Sequence, residues 1–197
     1  MNMNILFSCD EYPPAKTGGI GSATKIVAEA LASRGHNIYV VSGRLPGHGL
    51  PAETVVNGVT IYRITYFEKI AYLLDSQWKM DRIHHLFLRF GLLANYAIRE
   101  YSRMVAFTEC VVKAKHIDLV EIPDYTILDK YFIEKKNIRY HIYSVPCVGR
   151  VHGSKSFLSY NKTKTIHNIV RRNNVAFFSN CDKILAVSKF YLFLYFL

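Results

Sequence analysis

NILFSCDEYPPAKTGGIGSATKIVAEALASRGHNIYVVSG, residues 4–43, is the stretch that decides the fold. Ile5, Leu6 and Phe7 form a short continuous apolar run, the pattern of a strand buried on both faces. Pro13, Pro14, Gly18 and Gly19 follow, and these residues cannot continue a strand interior, so the chain must leave the sheet in a loop. From Gly21 to Arg34 the apolar residues Ala23, Ile26, Val27, Ala30 and Leu31 fall on one face at helical spacing. Gly35 stands where a left-handed C-terminal cap is needed. Residues 37–42 then read as a second strand. Strand, helix and strand in this order make the unit from which parallel sheets with crossover connections are built.

Outward from that unit, residues 59–64 predict a further strand. Residues 69–115 contain no proline and carry apolar residues at mixed three and four spacing, which predicts two helices broken at Gly91, with Arg82, Arg89, Arg99 and Arg103 among the apolar positions. A strand over 117–122 is expected to halt at Pro123. A helix over 127–136, an extended stretch ending in VPCVGRVHG (residues 145–153), a helix over 165–178 and a strand over 183–187 complete the pass. The expected fold class is α/β, a single Rossmann-like domain with a parallel β-sheet flanked by helices. The chain closes on FYLFLYFL, residues 190–197, eight apolar residues without a charge, too short to span a membrane and hazardous as an exposed end. The expectation is a domain over residues 1–189 followed by an aberrant tail, from a truncation or frame change after Lys189.

Half of the residues are hydrophobic and one fifth are charged, which excludes a disordered chain. With 25 basic against 15 acidic residues the net charge is +10, and an anionic partner is expected: nucleic acid, an acidic membrane surface or a phosphorylated substrate. No nucleic-acid recognition motif accompanies the charge, so nucleic acid ranks last. Cys9, Cys110, Cys147 and Cys181 form no CxxC pair and have no histidine at ligand spacing; they read as buried thiols in a reduced compartment, and no metal is expected. The first apolar run lacks a basic lead and a signal-length core, which predicts a cytoplasmic protein.

Three segments carry candidate chemistry. In DEYPPAKTGGIG, residues 10–21, two prolines rigidify the exit from the first strand, Gly18 and Gly19 admit close backbone approach, and a helix N-terminus points at the loop. A diphosphate cradle and a plain tight turn account for it equally well. The dinucleotide fingerprint fails, because Thr24 replaces its third glycine and the second strand ends in Ser42-Gly43-Arg44 without a ribose-binding acid. GRVHGSKS, residues 149–156, imitates a nucleotide-triphosphate loop but has three residues between its glycines and Ser154 before Lys155. It leaves His152 at the end of a core strand, the edge of an open sheet where ligands bind. Glu121 and Asp124 flank Pro123 on the same edge, each able to meet a sugar hydroxyl, and Asp124 is also placed to cap the next helix. His84, His85 and the other histidines show no ligand spacing.

Taken in order, residues 4–43, DLVEIPDY (118–125), GRVHGSKSF (149–157) and NCDKILAVSKF (180–190) resemble the amino-terminal domain of the GT-B retaining glycosyltransferases of family four. The resemblance implies the N-terminal half of a GT-B fold, with Gly18 and Gly19 beside a donor diphosphate and His152 near the transferred sugar. It implies Glu121 and Tyr125 on the acceptor side. It further implies transfer from a nucleoside-diphosphate sugar to a glycan or glycolipid hydroxyl, with retention and without a metal, in cell-surface polysaccharide or glycolipid synthesis. Family members add a second lobe that holds the nucleotide, and nothing in these residues supplies it. The basic, aromatic segment 69–103 supports an alternative expectation, an inactive fragment that acts at most as a non-enzymatic binding module for an anionic membrane or a lipid-linked acceptor, with peripheral contact at the membrane.

Overall fold

A computed structural model describes residues 2–15, 18–44, 49–65, 92–124, 143–152 and 178–186, with backbone alone for 92–98. Seven strands form one sheet: β1 (Asn4–Ser8), β2 (Asn37–Arg44), β3 (Glu53–Val56), β4 (Val59–Thr65), β5 (Leu119–Pro123), β6 (Cys147–Val151) and β7 (Lys183–Ala186). Their spatial order is β3-β4-β2-β1-β5-β6-β7. Every neighbouring pair is parallel except β3 with β4. Two helices belong to the described residues, α1 (Gly19–Ser33) and α2 (Leu92–Ala114). The expected α/β class and parallel sheet are present.

Side chains alternate between the two faces of a strand, and here each face has its own core. Ile5, Phe7, Ile38, Val40, Val59 and Ile61 pack with Ala28, Val27 and Leu31 of α1. Leu6, Val41, Val120, Ile122, Cys147 and Val151 pack with Tyr101, Met104, Val111 and Val112 of α2. Burial on both faces is why β1 and β2 read as unbroken apolar runs rather than alternating ones.

The helix expected from Gly21 begins two residues earlier, with Gly18 as an extended N-cap at φ −85° and ψ −169°. Gly35 takes φ +90°, and the N–H groups of Gly35 and His36 close the helix on the carbonyls of Ala32 and Leu31, as its sequence position predicts. The strand expected over 117–122 is shifted to Leu119–Pro123. His116 adopts φ +49° and Ile117 donates to the Val112 carbonyl at 3.0 Å, so these residues end α2 instead of starting β5. Pro123 is the last residue of β5, paired with Arg150, a position where a missing N–H is tolerated. The break expected at Gly91 lies outside the described residues, which resume with α2. The expected elements over 69–90, 127–136 and 165–177 and the tail 190–197 lie outside the described residues.

One strand went unforeseen. β3 folds back on β4 through Asn57 and Gly58, both at positive φ (50° and 78°), the conformation of a two-residue hairpin turn that favours Asn-Gly. It converts the outer edge of the parallel sheet into an antiparallel ribbon.

Gly149 in β6 marks a tight point. A Cβ there would lie 2.8 Å from Cys181 Sγ and 3.1 Å from the Phe178 ring. Gly149→Ala is expected to cost about 1–3 kcal/mol through overpacking, read as a lower urea midpoint with an unchanged slope. A midpoint equal to wild type would show that Cys181 and Phe178 move aside freely.

Candidate functional site

The edge strand β3 set aside, the order β4-β2-β1-β5-β6-β7 reverses direction at β1, because the chain runs outward from β1 to β2 and β4 and then returns to β5 on its other side. In open α/β sheets the crevice beyond the carboxyl ends of the strands at such a switch point receives ligands. The segments leaving β1 and β5 and the end of the neighbouring β6 therefore define the candidate site.

After β1 the backbone stays tied to the sheet: the Cys9 N–H donates to the Val41 carbonyl at 3.0 Å. The Cys9 thiol donates to the Glu11 carbonyl at 3.0 Å, and burial pushes its pKa up to about 12, so it is not a nucleophile. Tyr12 is buried in the α1-side core, and its phenol is likewise pushed up to about 12, mainly by burial. A cis Pro13–Pro14 bond carries the chain round toward Gly18 and the start of α1. The N-terminal N–H groups of a helix lack intrahelical acceptors and favour anions. No acidic residue lies in the first turn of α1. Glu11 supplies one from outside: its Oε2 accepts the Gly18 N–H at 2.8 Å. A Cβ on Gly18 would approach that oxygen to 3.0 Å, whereas one on Gly19 would meet nothing within 4 Å.

On β5 and β6 the structure joins residues that the sequence kept apart. The Asp124 N–H donates to the Arg150 carbonyl at 2.8 Å, and Asp124 Oδ1 accepts the His152 N–H at 3.1 Å. Asp124 thus fixes the backbone at His152, a role beyond the helix cap expected for it. The Nε2 atom of His152 is buried without a hydrogen-bond partner among the described residues. Burial first, and the Arg150 charge second, lower its pKa to about 4. At neutral pH it is an uncharged imidazole that can exchange a hydrogen bond with a hydroxyl but carries no ready proton for acid catalysis.

Glu121 stands at the start of this edge with its carboxylate engaged: Oε2 accepts from Arg150 at 2.5 Å, and both side chains are buried. Burial pushes the Glu121 carboxyl up while the adjacent guanidinium pulls it down. Arg150 also lies over the Phe7 ring at 5.9 Å. Arg150 was missed in sequence, although a charge inside VPCVGRVHG was a signal: an arginine in a core strand requires a buried partner. Tyr125 lies outside the described residues. So the ends of β5 and β6 bring Glu121, Asp124, Arg150 and His152 together, while Gly18 and Gly19 stand at the neighbouring exit from β1. Among the described residues no group of three or more His, Cys, Asp or Glu could hold a metal, and no helix is long and apolar enough to cross a membrane.

The chain is similar in sequence and in fold to known proteins. An uncharacterized glycosyltransferase of Methanocaldococcus jannaschii is 31% identical over 91 residues, covering 46% of this chain and 22% of that protein. Granule-bound starch synthase 2 of Solanum tuberosum is 29% identical over 121 residues, covering 56% of this chain and 15% of its own. The chain thus spans less than a quarter of the length of these curated relatives. Among solved structures, the sucrose-phosphate synthase of Thermosynechococcus elongatus superposes with a TM-score of 0.59 at 12% identity, over 93% of this chain and 42% of that one. The fold is that of one half of a GT-B glycosyltransferase. The family of the starch synthase catalytic domain matches residues 4–192, and the chain belongs to it.

Proposed function

We propose that this chain forms the acceptor-side lobe of a glycosyltransferase that moves a sugar from a nucleoside-diphosphate sugar to an acceptor hydroxyl. The observation that carries the reading is the presence of two features on the carboxyl edge about the switch point: a glycine-led helix N-terminus beyond β1 and an uncharged His152 at the end of β6, two strands away. The N–H groups of Gly19 and the residues after it face the departing diphosphate and stabilise its developing charge. Glu11 holds the Gly18 N–H, so a diphosphate either displaces that carboxylate or binds one residue further along α1. His152 orients a sugar hydroxyl through its unpartnered Nε2. Glu121 acts through Arg150, and Tyr125 borders the acceptor.

The finer parts of the reading rest on the likeness of the opening block to family four. They are retention at the anomeric carbon, catalysis without a metal, and a role in cell-surface polysaccharide or glycolipid synthesis at the cytoplasmic face of a membrane. A second lobe, which holds the nucleotide, completes the enzyme. The 197-residue chain by itself is expected to transfer no measurable sugar; turnover by the purified chain overturns that part. The +10 charge adds a peripheral membrane contact, checked by sedimentation with anionic against neutral liposomes, where equal recovery removes it.

Gly19→Ala tests the donor loop. The structure leaves room for the methyl group, and replacing glycine in a helix removes unfolded-state entropy, so the melting temperature should hold or rise slightly. Addition of ADP-glucose or UDP-glucose should shift the amide resonances of Gly18 and Gly19 in the wild type. The variant should bind about tenfold more weakly or worse, since a Cβ blocks close backbone approach. Equal affinity in both proteins removes the diphosphate from this loop.

A further inference from the structure

Arg44 and Arg63 lie on the α1 side of the sheet at the carboxyl ends of β2 and β4, away from His152. Register places Ser42 opposite Arg63 and Arg44 opposite Thr65, so the two guanidinium groups issue from adjacent strands on one face. Arg63 is 5% exposed. It donates to Thr54 Oγ1 at 2.7 Å and to the Pro13 carbonyl at 3.5 Å, and its Nε is buried with no partner among the described residues. Arg44 Nε donates to Thr65 Oγ1 at 2.6 Å, and another of its nitrogens donates to the Leu50 carbonyl. Neither arginine meets a carboxylate among the described residues.

That arrangement is costly as it stands. A buried guanidinium normally has an anionic partner, because hydroxyl and carbonyl dipoles replace only part of its hydration. Arg150, at equal exposure in the same sheet, has Glu121. Arg63 has instead a second cation nearby, and burial together with the charge of Arg44 disfavours its protonated form. Among the described residues the component lacking is a negative charge, and a planar fork next to a second guanidinium suits an oxyanion of phosphate geometry.

We propose that Arg44 and Arg63 form an anion subsite on the β2/β4 edge, separate from the Gly18–Gly19 loop, that takes a phosphomonoester. The Pro13 carbonyl held by Arg63 belongs to the segment leading to Gly18, so occupancy of the subsite also steadies the loop proposed for the donor. The subsite stands on the two arginines alone. Its failure and that of the donor reading are separable, because the nucleotide sugar is titrated independently on Gly18 and Gly19.

The test uses the 197-residue chain with inorganic phosphate, a hexose 6-phosphate and the neutral hexose as probes, followed by calorimetry and by melting temperature at constant ionic strength. Phosphate and sugar phosphate should bind and raise the melting temperature, and the neutral hexose should do neither. Arg44→Gln should weaken phosphate at least about tenfold, the effect of losing one charge-assisted hydrogen bond. Arg44→Lys, which keeps charge but loses the fork, should fall between. Arg34→Gln, at the exposed end of α1, should match the wild type. A sugar phosphate that binds much more tightly than phosphate identifies the phosphate as part of an acceptor; equal binding identifies free phosphate as the ligand. No saturable phosphate binding by the wild type, or the same affinity in Arg44→Gln, overturns the proposal, and the wild-type titration decides even if the variants fold poorly.

Discussion

Glu121→Gln is expected to destabilise the domain by about 3–5 kcal/mol, the cost of leaving one member of a buried ion pair without its partner. Glu121 and Arg150 are both within the interior, their contact is 2.5 Å, and Arg150 also lies over the Phe7 ring. Removing the carboxylate charge leaves a guanidinium at 5% exposure facing an amide and an aromatic face. The aromatic face returns only about 0.5–2 kcal/mol. The double variant Glu121→Gln/Arg150→Met should recover most of the loss, since an uncharged pair of similar volume avoids the desolvation cost altogether. Urea unfolding of the wild type, both single variants and the double variant gives the coupling directly. If Glu121→Gln costs under about 1 kcal/mol, the carboxyl is already protonated in the folded protein and accepts a hydrogen bond from the Arg150 cation as a neutral acid. The same variants bear on function. Arg150 lies two residues before His152 and contributes to keeping that imidazole uncharged, so loss of the pair should disturb the sugar edge as well as the core.

The sheet was legible because burial on both faces writes long apolar runs into β1 and β2, and because Pro13, Gly18 and Gly35 punctuate the first crossover where the backbone demands them. β3 was not read, although Asn57-Gly58 is a strong local turn signal. The strand itself, Glu53–Val56, is largely exposed, so it lacks the apolar pattern that reveals the others. The start of β5 was misplaced because Ile117 is as apolar as a strand residue; what sends it to the helix end is the left-handed turn at His116, which side-chain periodicity does not encode. The placement of the candidate residues along the sheet edge was legible, but their partnerships were not. Gly18, Gly19 and His152 fall on the carboxyl edge as their places in the pattern require. That Glu11 meets Gly18, Asp124 meets His152 and Glu121 meets Arg150 depends on register between strands distant in sequence, and no local motif specifies it. Arg63 shows the same limit, since only the folded sheet reveals a buried cation that meets no carboxylate among the described residues.

Acidification should unfold the domain partly through His152. Its folded-state pKa of about 4 lies below the value near 6.5 of an unfolded histidine. The unfolded chain therefore binds a proton that the native imidazole refuses. By linkage, stability rises with pH wherever the unfolded state holds more protons. This contribution is present in full above about pH 6.5, is lost as pH falls from there to about 4, and is constant below that. The window sets an upper bound of about 3.5 kcal/mol, reduced in practice because the ring retains some contact with solvent. His152→Gln removes the titrating group while keeping a side chain that can exchange hydrogen bonds. Its stability should be flatter than the wild type between pH 6.5 and pH 4.5, with the two curves differing in slope rather than by a constant offset. A direct readout is the imidazole resonance, which should show no titration near pH 6.5 in the folded wild type. Parallel stability curves, or a resonance that titrates near 6.5, would mean that His152 is charged at mildly acidic pH. A cationic His152 would then offer a second positive charge beside Arg150, and its proposed role would change from orienting a sugar hydroxyl to holding an anion.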